Sequence, residues 1–93
     1  MTIGILRLSL FIAESNSLKD RRMVLHSLKA RLHNSFNIAV AEVDEEDKWR
    51  KATLAVVGVG KNATGVNSTL SEVVNFIEGF HGAELLDYEM EMI

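Results

Sequence analysis

The segment 17–36 limits the possible folds most, because it has the pattern of one long amphipathic helix. Four leucines recur in it at spacings of three, four and seven residues, so they lie on one side of such a helix. A helix with an apolar side must bury that side against another element of the domain. The alternating patterns before and after the segment indicate that this element is a β-sheet. The four leucines are Leu18, Leu25, Leu28 and Leu32.

A second stripe on the same helix is basic. Its members recur at spacings of three and four, which places them beside the leucines. Ser17 is the predicted N-cap, with Asp20 three residues later. Arg31 lies in the last predicted turn, where a positive charge suits the helix dipole. The stripe consists of Lys19, Arg22, His26, Lys29 and His33.

Four segments have the period-two pattern or β-branched composition of strands: 2–12, 36–43, 52–59 and 83–93. A second helix before the last strand has a buried stripe formed by Val66, Leu70, Val73, Val74 and Ile77. In the last strand the pattern predicts a core face made of Leu86, Tyr88, Met90 and Met92.

The predicted order is β-α-β-β-α-β within one domain, residues 1–93. Two split βαβ units predict an α+β, ferredoxin-like sandwich. Its four-stranded antiparallel sheet has the order 4-1-3-2, with both helices on one face. The opposite face is then open and apolar, and Phe11 is its aromatic member on the first strand. Since monomers rarely expose large apolar patches, we expect this face to form a homodimer.

Composition and motifs disfavour several classes of protein. The chain has no cysteine, which removes thiol catalysis, disulfides and cysteine zinc sites. It lacks the G-x-S-x-G and complete Walker motifs. We therefore expect that the protein is not an enzyme and that it binds no cofactor and no metal. No apolar run reaches the roughly 20 residues of a membrane span, and the N-terminus lacks the basic part of a signal peptide. We therefore expect a cytoplasmic protein.

Charge is unevenly distributed along the chain. Residues 1–41 contain six Lys and Arg against two acids, whereas residues 42–93 contain four against eleven, for a net charge of −3. A local basic face on an acidic protein indicates site-restricted rather than general binding of nucleic acid. The candidate phosphate contacts are Lys19, Arg22, His26, Lys29 and Arg31. The alternative is that this face is simply solvated.

The region between the second and third strands is strongly acidic. Glu42, Asp44 and Asp47 lie there, and Trp49 follows them. Carboxylates can bind Mg²⁺ or act as acids and bases, but acids on a hairpin without histidine or a pocket are more often a solvated turn. Together with Phe11, these residues are the candidates for contact with a protein partner.

Three segments resemble the YlxP-like family, a bacterial domain family of unknown function. They are S-L-K-D-R-R-M-V-L-H-S-L-K-A-R-L (17–32), F-N-I-A-V-A-E-V-D-E-E-D-K-W (36–49) and N-F-I-E (75–78). The chain has Ala39 and Arg50 where Ser and Gln are usual in the family. The family pattern maps onto Ser17, Leu18, Lys19, Arg22, Phe36, Asn37, Glu42, Asp44, Asp47 and Trp49.

This resemblance implies a ferredoxin-like fold and a genomic setting among translation and ribosome-maturation genes, with no established catalytic activity. The leading hypothesis is an accessory protein of translation or ribosome maturation that binds RNA or a ribosomal partner through the basic helix face. The alternative is a homodimeric interaction or regulatory module that uses the open sheet face and the acidic hairpin with Trp49. An enzyme or small-ligand binder around Glu42, Asp44, Asp47 and Trp49 is the third possibility.

Overall fold

The computed structural model describes residues 1–13, 16–43 and 50–93. The strands form one antiparallel sheet in the order β2-β3-β1-β4, which is the predicted order counted from the other edge. The predicted α+β, ferredoxin-like fold is therefore confirmed. In chain order the elements are β1 (Thr2–Phe11), α1 (Leu18–Ser35), β2 (Ala39–Glu42), β3 (Lys51–Gly60), α2 (Ala63–Glu78) and β4 (Glu84–Met92).

The core lies between the sheet and the two helices. Alternate residues of β1 and β3 meet Leu25, Leu28 and Leu32 of α1 and the apolar stripe of α2. The five stripe residues predicted for α2 are all buried, as expected from their spacing. No helix formed by the described residues is both long and apolar enough to cross a membrane.

Both helices begin at the capping residues that satisfy their first free N–H groups. The Ser17 hydroxyl accepts a hydrogen bond of 3.1 Å from the backbone N–H of Asp20, while the Asp20 carboxylate accepts one of 3.1 Å from the N–H of Asn16. In α2, the Asn62 side chain accepts from the N–H of Gly65 at 2.9 Å. These reciprocal contacts explain why α1 starts where the sequence predicts.

A glycine in β1 sets the distance between the sheet and α2. A Cβ atom at Gly4 would lie 2.4 Å from Cγ1 of Val66 and 2.7 Å from Cδ1 of Leu70. A Cβ atom at Gly60 would also approach Val66, at 2.9 Å. The absence of both side chains lets the first turns of α2 lie directly on the sheet backbone.

The prediction for the core face of β4 was wrong at Leu86. Asp87 pairs with Ser9 but Leu85 pairs with Leu10, so Leu86 is the additional residue of a β-bulge. The bulge shifts the alternation, and Leu85 packs against the core while Leu86 is 50% exposed. Tyr88 is 46% exposed because it lies on the outermost strand.

The second strand is shorter than the predicted 36–43. Phe36 ends α1, and its backbone N–H donates to the carbonyl of Leu32 at 2.9 Å. Its ring meets Phe76 of α2 edge-on, with ring centroids 6.0 Å apart. Phe36 therefore closes the end of the helical layer, and pairing with β3 begins only at Ala39.

Candidate nucleic-acid interface

The basic stripe lies on the solvent side of α1. Lys19, Arg22, His26 and His33 are exposed, and Lys29 is half-buried. The buried side of the helix is marked by Leu25, Leu28 and Leu32. At a rise of about 1.5 Å per residue, the stripe from its first to its last member is ~21 Å long. The open face of the sheet is the face that the helices do not cover, so it lies on the opposite side of the domain from the stripe.

The cations of the stripe have no acidic partners in the part of the chain that the structure describes. No ion pair joins Lys19, Arg22 or Lys29 to any described carboxylate. Asp20 is the one acid within the sequence of α1, and its carboxylate is engaged with the Asn16 N–H. Within residues 1–13, 16–43 and 50–93, the stripe thus presents positive charge that no ion pair neutralises.

Arg31 lies apart from the stripe. Its guanidinium is positioned over the ring of Phe80, 5.6 Å from the ring centroid, just after the end of α2. At about 100° per residue, position 31 falls on the opposite flank of α1 from Lys29 and Arg22. The structure therefore brings four of the five candidate phosphate contacts together and separates Arg31 from them.

Arg21 is a basic residue with a structural role that was not predicted from the sequence. Its side chain is buried, with 6% exposure. Its Nε donates to the backbone carbonyl of Lys51 at 2.9 Å, and its Nη2 forms an ion pair with the Glu42 carboxylate. Glu42 ends β2 and Lys51 begins β3. Arg21 therefore fastens α1 to both strands at the base of the connection between them.

This contact also changes the interpretation of Glu42. From the sequence, Glu42 is a candidate for partner contact, but its carboxylate forms an ion pair with Arg21. A positional signal for this role was present, because Arg21 precedes Leu25 by four residues and so falls on the buried side of α1. Asp44, Asp47 and Trp49 lie outside the described residues.

The open sheet face has an apolar region and an acidic border. Ile5 of β1 is flanked by Val57 of β3, which is flanked in turn by Ala39 of β2. On the other side of β1, Glu91 lies opposite Ile5 and Glu89 lies opposite Arg7. The acids of β4 thus line one edge of the face. Phe11 is half-buried at the far end of β1.

A cavity of about 420 Å³ lies between the start of α1, the end of β1 and the segment that precedes β4. Its apolar wall includes Phe11, Ile12 and Val24, and Asp20 and His81 contribute polar groups. Among residues 1–13, 16–43 and 50–93, no group of three His, Asp or Glu side chains is arranged to hold a metal ion. His26 and His33 accordingly have no third ligand there.

Comparisons with known proteins give a family and a fold. The family model described as "Protein of unknown function (DUF503)" matches residues 3–90. The chain is 28% identical over 78 residues to the uncharacterized protein YlxP of Bacillus subtilis (strain 168), covering 84% of this chain and 85% of that protein.

Solved structures with little sequence identity have a similar fold. The de novo designed protein Foldit4 matches with a TM-score of 0.55 and 5% identity, covering 100% of this chain and 97% of the other. SnoaB, a cofactor-independent oxygenase from Streptomyces nogalater, matches with a TM-score of 0.51 and 9% identity, covering 99% of this chain and 90% of the other. At these identities the likeness concerns the fold alone.

Proposed function

The chain belongs to the YlxP-like family, whose model is described as a protein of unknown function, and from this premise we propose that it is a cytoplasmic accessory protein of translation or ribosome maturation that binds RNA through α1. One observation carries the proposal: Lys19, Arg22 and Lys29 share one side of the helix and pair with no described carboxylate. Such cations contact phosphates and position an RNA without reading its sequence.

The spacing of the stripe favours a structured RNA over a single strand. The cations from Lys19 to Lys29 extend over ~15 Å of a straight helix, so they can meet several phosphates of one rigid backbone. His26 lies between Arg22 and Lys29 and adds a hydrogen-bond donor. The net charge of −3 repels nucleic acid elsewhere on the protein, which restricts binding to this side of α1.

The open sheet face is a poor alternative surface for RNA. Sheets that bind single-stranded RNA use aromatic rings on their central strands to stack bases. β1 offers Phe11 at its end, whereas β3 has no aromatic residue, and the border on β4 is acidic. RNA approaching this face would meet Asp87, Glu89 and Glu91 without a stacking platform.

The test is a titration of the protein with structured ribosomal RNA fragments at low and moderate salt. With about three phosphate contacts, the logarithm of the affinity should fall by roughly two to three units per tenfold rise in salt. Lys19→Glu/Arg22→Glu should weaken binding at least tenfold at low salt. The matched control is Lys51→Glu/Lys61→Glu, which changes the net charge equally at two exposed positions away from the stripe.

Equal affinity of the two double variants would contradict the proposal, because net charge alone would then explain binding. Absence of binding to any fragment would contradict it as well. A parallel experiment uses purified ribosomal subunits with and without nuclease treatment. A complex that survives digestion of the RNA would identify a ribosomal protein as the partner and overturn the RNA contact.

The open sheet face favours a second candidate function, a homodimeric interaction module. Its apolar region joins Ile3, Ile5 and Val57, and Val59 beside it is 63% exposed. Three strands of nine or ten residues and one of four, at ~3.4 Å per residue and about 4.8 Å apart, give a face of roughly 540 Å² in projection, about two thirds of the ~800 Å² per partner of a standard interface. The acidic hairpin with Asp44, Asp47 and Trp49 would then contact a further protein.

Sedimentation equilibrium tests this second candidate. The expected result is a dimer that Val57→Arg converts to a monomer, because a charge would be placed in the middle of the buried face. The matched control is Ser68→Arg, at an exposed position of α2. A wild-type protein that remains monomeric up to millimolar concentration would contradict the dimer and leave the RNA proposal unaffected.

A further inference from the structure

The outer edge of β4 is the longer of the two outer edges of the sheet that the described residues form. β4 has nine residues and forms one end of the strand order, and β2 at the other end has four. Within residues 1–13, 16–43 and 50–93, β4 pairs with β1 and no strand pairs with its other side. An edge of this kind presents unpaired backbone groups to another chain.

The register shows which backbone groups point outward. Ile3 and Ile93 exchange both backbone hydrogen bonds, at 3.1 and 2.7 Å, so they form a hydrogen-bonded pair. In an antiparallel ladder such pairs alternate with pairs that exchange none. Counting back along β4, positions 91, 89 and 87 bond to β1. The N–H and C=O groups of Tyr88, Met90 and Met92 therefore face away from the sheet.

One additional contact agrees with this assignment. The N–H of Tyr88 donates to the Asp87 side chain at 2.8 Å, which a ladder bond to β1 would not allow. The bulge at Leu86 follows directly on this side. The regular outer edge therefore extends from Tyr88 to the end of β4. Its first donor is the N–H of Tyr88, which a partner can bind only by displacing the Asp87 side chain.

The side chains along this edge are of two kinds. Asp87, Glu89 and Glu91 lie on the open face, opposite Ser9, Arg7 and Ile5 in register. Met90 and Met92 lie on the helix side and pack against the core, while Tyr88 between the acids is 46% exposed. A strand added at this edge would meet acids on one face and apolar or aromatic side chains on the other.

These charges disfavour a second copy of β4 as the occupant. Antiparallel pairing through the outward groups must place even-numbered positions opposite even-numbered ones. In every register that places Met90 opposite position 88, 90 or 92 of the other copy, a pair formed by Glu89 or Glu91 then has like charges directly opposite each other, which is destabilising. A basic strand has the complementary charge at the same positions.

We propose that the outer edge of β4 is the docking site of an extended basic peptide, which adds to the sheet as a fifth strand. The backbone of the peptide bonds to the outward groups of Tyr88, Met90 and Met92. Its Lys or Arg side chains, at every second position, lie opposite the three acids, and its apolar side chains lie opposite the tyrosine and the methionines. Main-chain bonds supply affinity, and the alternation supplies specificity.

The experiment measures hydrogen exchange of individual amides by NMR in the full chain. The probe is a nine-residue peptide that alternates Lys and Val. At saturation, the exchange of the Tyr88, Met90 and Met92 amides should slow at least tenfold, because only the outward donors gain partners. The Asp87, Glu89 and Glu91 amides already bond to β1 and should change little.

Two charge controls and two N-methylated peptides separate backbone pairing from charge attraction. A peptide with Glu in place of Lys should bind at least tenfold more weakly, and Asp87→Asn/Glu89→Gln/Glu91→Gln should reduce affinity for the Lys peptide about tenfold. N-methylation of the Lys-Val peptide at the positions whose N–H groups face β4 should abolish binding. N-methylation at the intervening positions should leave binding intact.

The proposal fails if both peptides bind equally, if neither binds at millimolar concentration, or if protection appears along Ala39–Glu42 instead. Slowed exchange of the same β4 amides with rising protein concentration alone would show that a second copy covers the edge, against the charge argument. Lys19→Glu/Arg22→Glu should keep its affinity for the peptide, so this result and the RNA result are independent of each other.

Discussion

Arg21 and Arg22 are neighbours in the chain, but α1 places them in different environments. Arg21 is buried and bonds to Glu42 and to the carbonyl of Lys51, whereas Arg22 is exposed and has no described acidic partner. About 100° of helix rotation separates the two positions. The inner arginine therefore stabilises the fold, and the outer one remains available to a ligand. Residue type alone does not distinguish these roles.

Replacing the inner arginine should reduce the stability of the protein more than any other change at these two positions. Arg21→Ala should lower the free energy of unfolding by about 3 kcal/mol, because it leaves a partly buried carboxylate and a carbonyl without their donor. Urea unfolding measures the change. Arg22→Ala is the matched control and should stay within about 0.5 kcal/mol of the wild type. Equal losses of stability for the two variants would contradict the different roles assigned to Arg21 and Arg22.

An intermediate loss of stability is expected at Arg31, which is neither buried like Arg21 nor part of the basic stripe like Arg22. Arg31→Ala removes the contact with the Phe80 ring and should cost about 0.5–1 kcal/mol of stability. Its effect on RNA affinity should be smaller than that of Arg22→Ala, since position 31 lies on the other flank of the helix. The same unfolding and titration experiments measure both quantities. A larger loss of RNA affinity at Arg31 would move the interface towards α2.

The smallest effect on stability and the clearest one on salt dependence are expected at Arg22. Removing one phosphate contact should reduce the slope of log affinity against log salt by about 0.7–0.9. Titration of Arg22→Ala at several salt concentrations gives this slope. An unchanged slope together with unchanged affinity would assign Arg22 to the solvated surface.

Most of the fold could be predicted because it depends on periodicity. The leucine and valine stripes of the two helices and the alternation in β1 are local signals, and the structure buries all the residues of the α2 stripe. The bulge at Leu86 depends instead on pairing with β1, which is long-range, so the pattern of β4 alone placed Leu86 on the wrong face. Phe36 was wrongly assigned to a strand. Its contact with Phe76 is also non-local, so the local sequence pattern does not reveal it.

The candidate site was predictable in position but not in its details. Spacing placed Lys19, Arg22, His26 and Lys29 on one side of α1, where the structure has them. It could not separate Arg31, whose orientation depends on Phe80. The burial of Arg21 was not predicted, because a buried arginine requires a partner and Glu42 is 21 positions away in the chain.

The close contact of Gly4 and Gly60 with Val66 has a consequence for how this sequence can change. The three positions lie on three different elements, but they share one space. A side chain at position 4 fits only if position 66 becomes smaller and the Leu70 side chain also moves, so a substitution at one of them alters which residues are acceptable at the others. In evolutionary terms the three positions are coupled, and a substitution harmful by itself becomes less harmful after its counterpart has occurred.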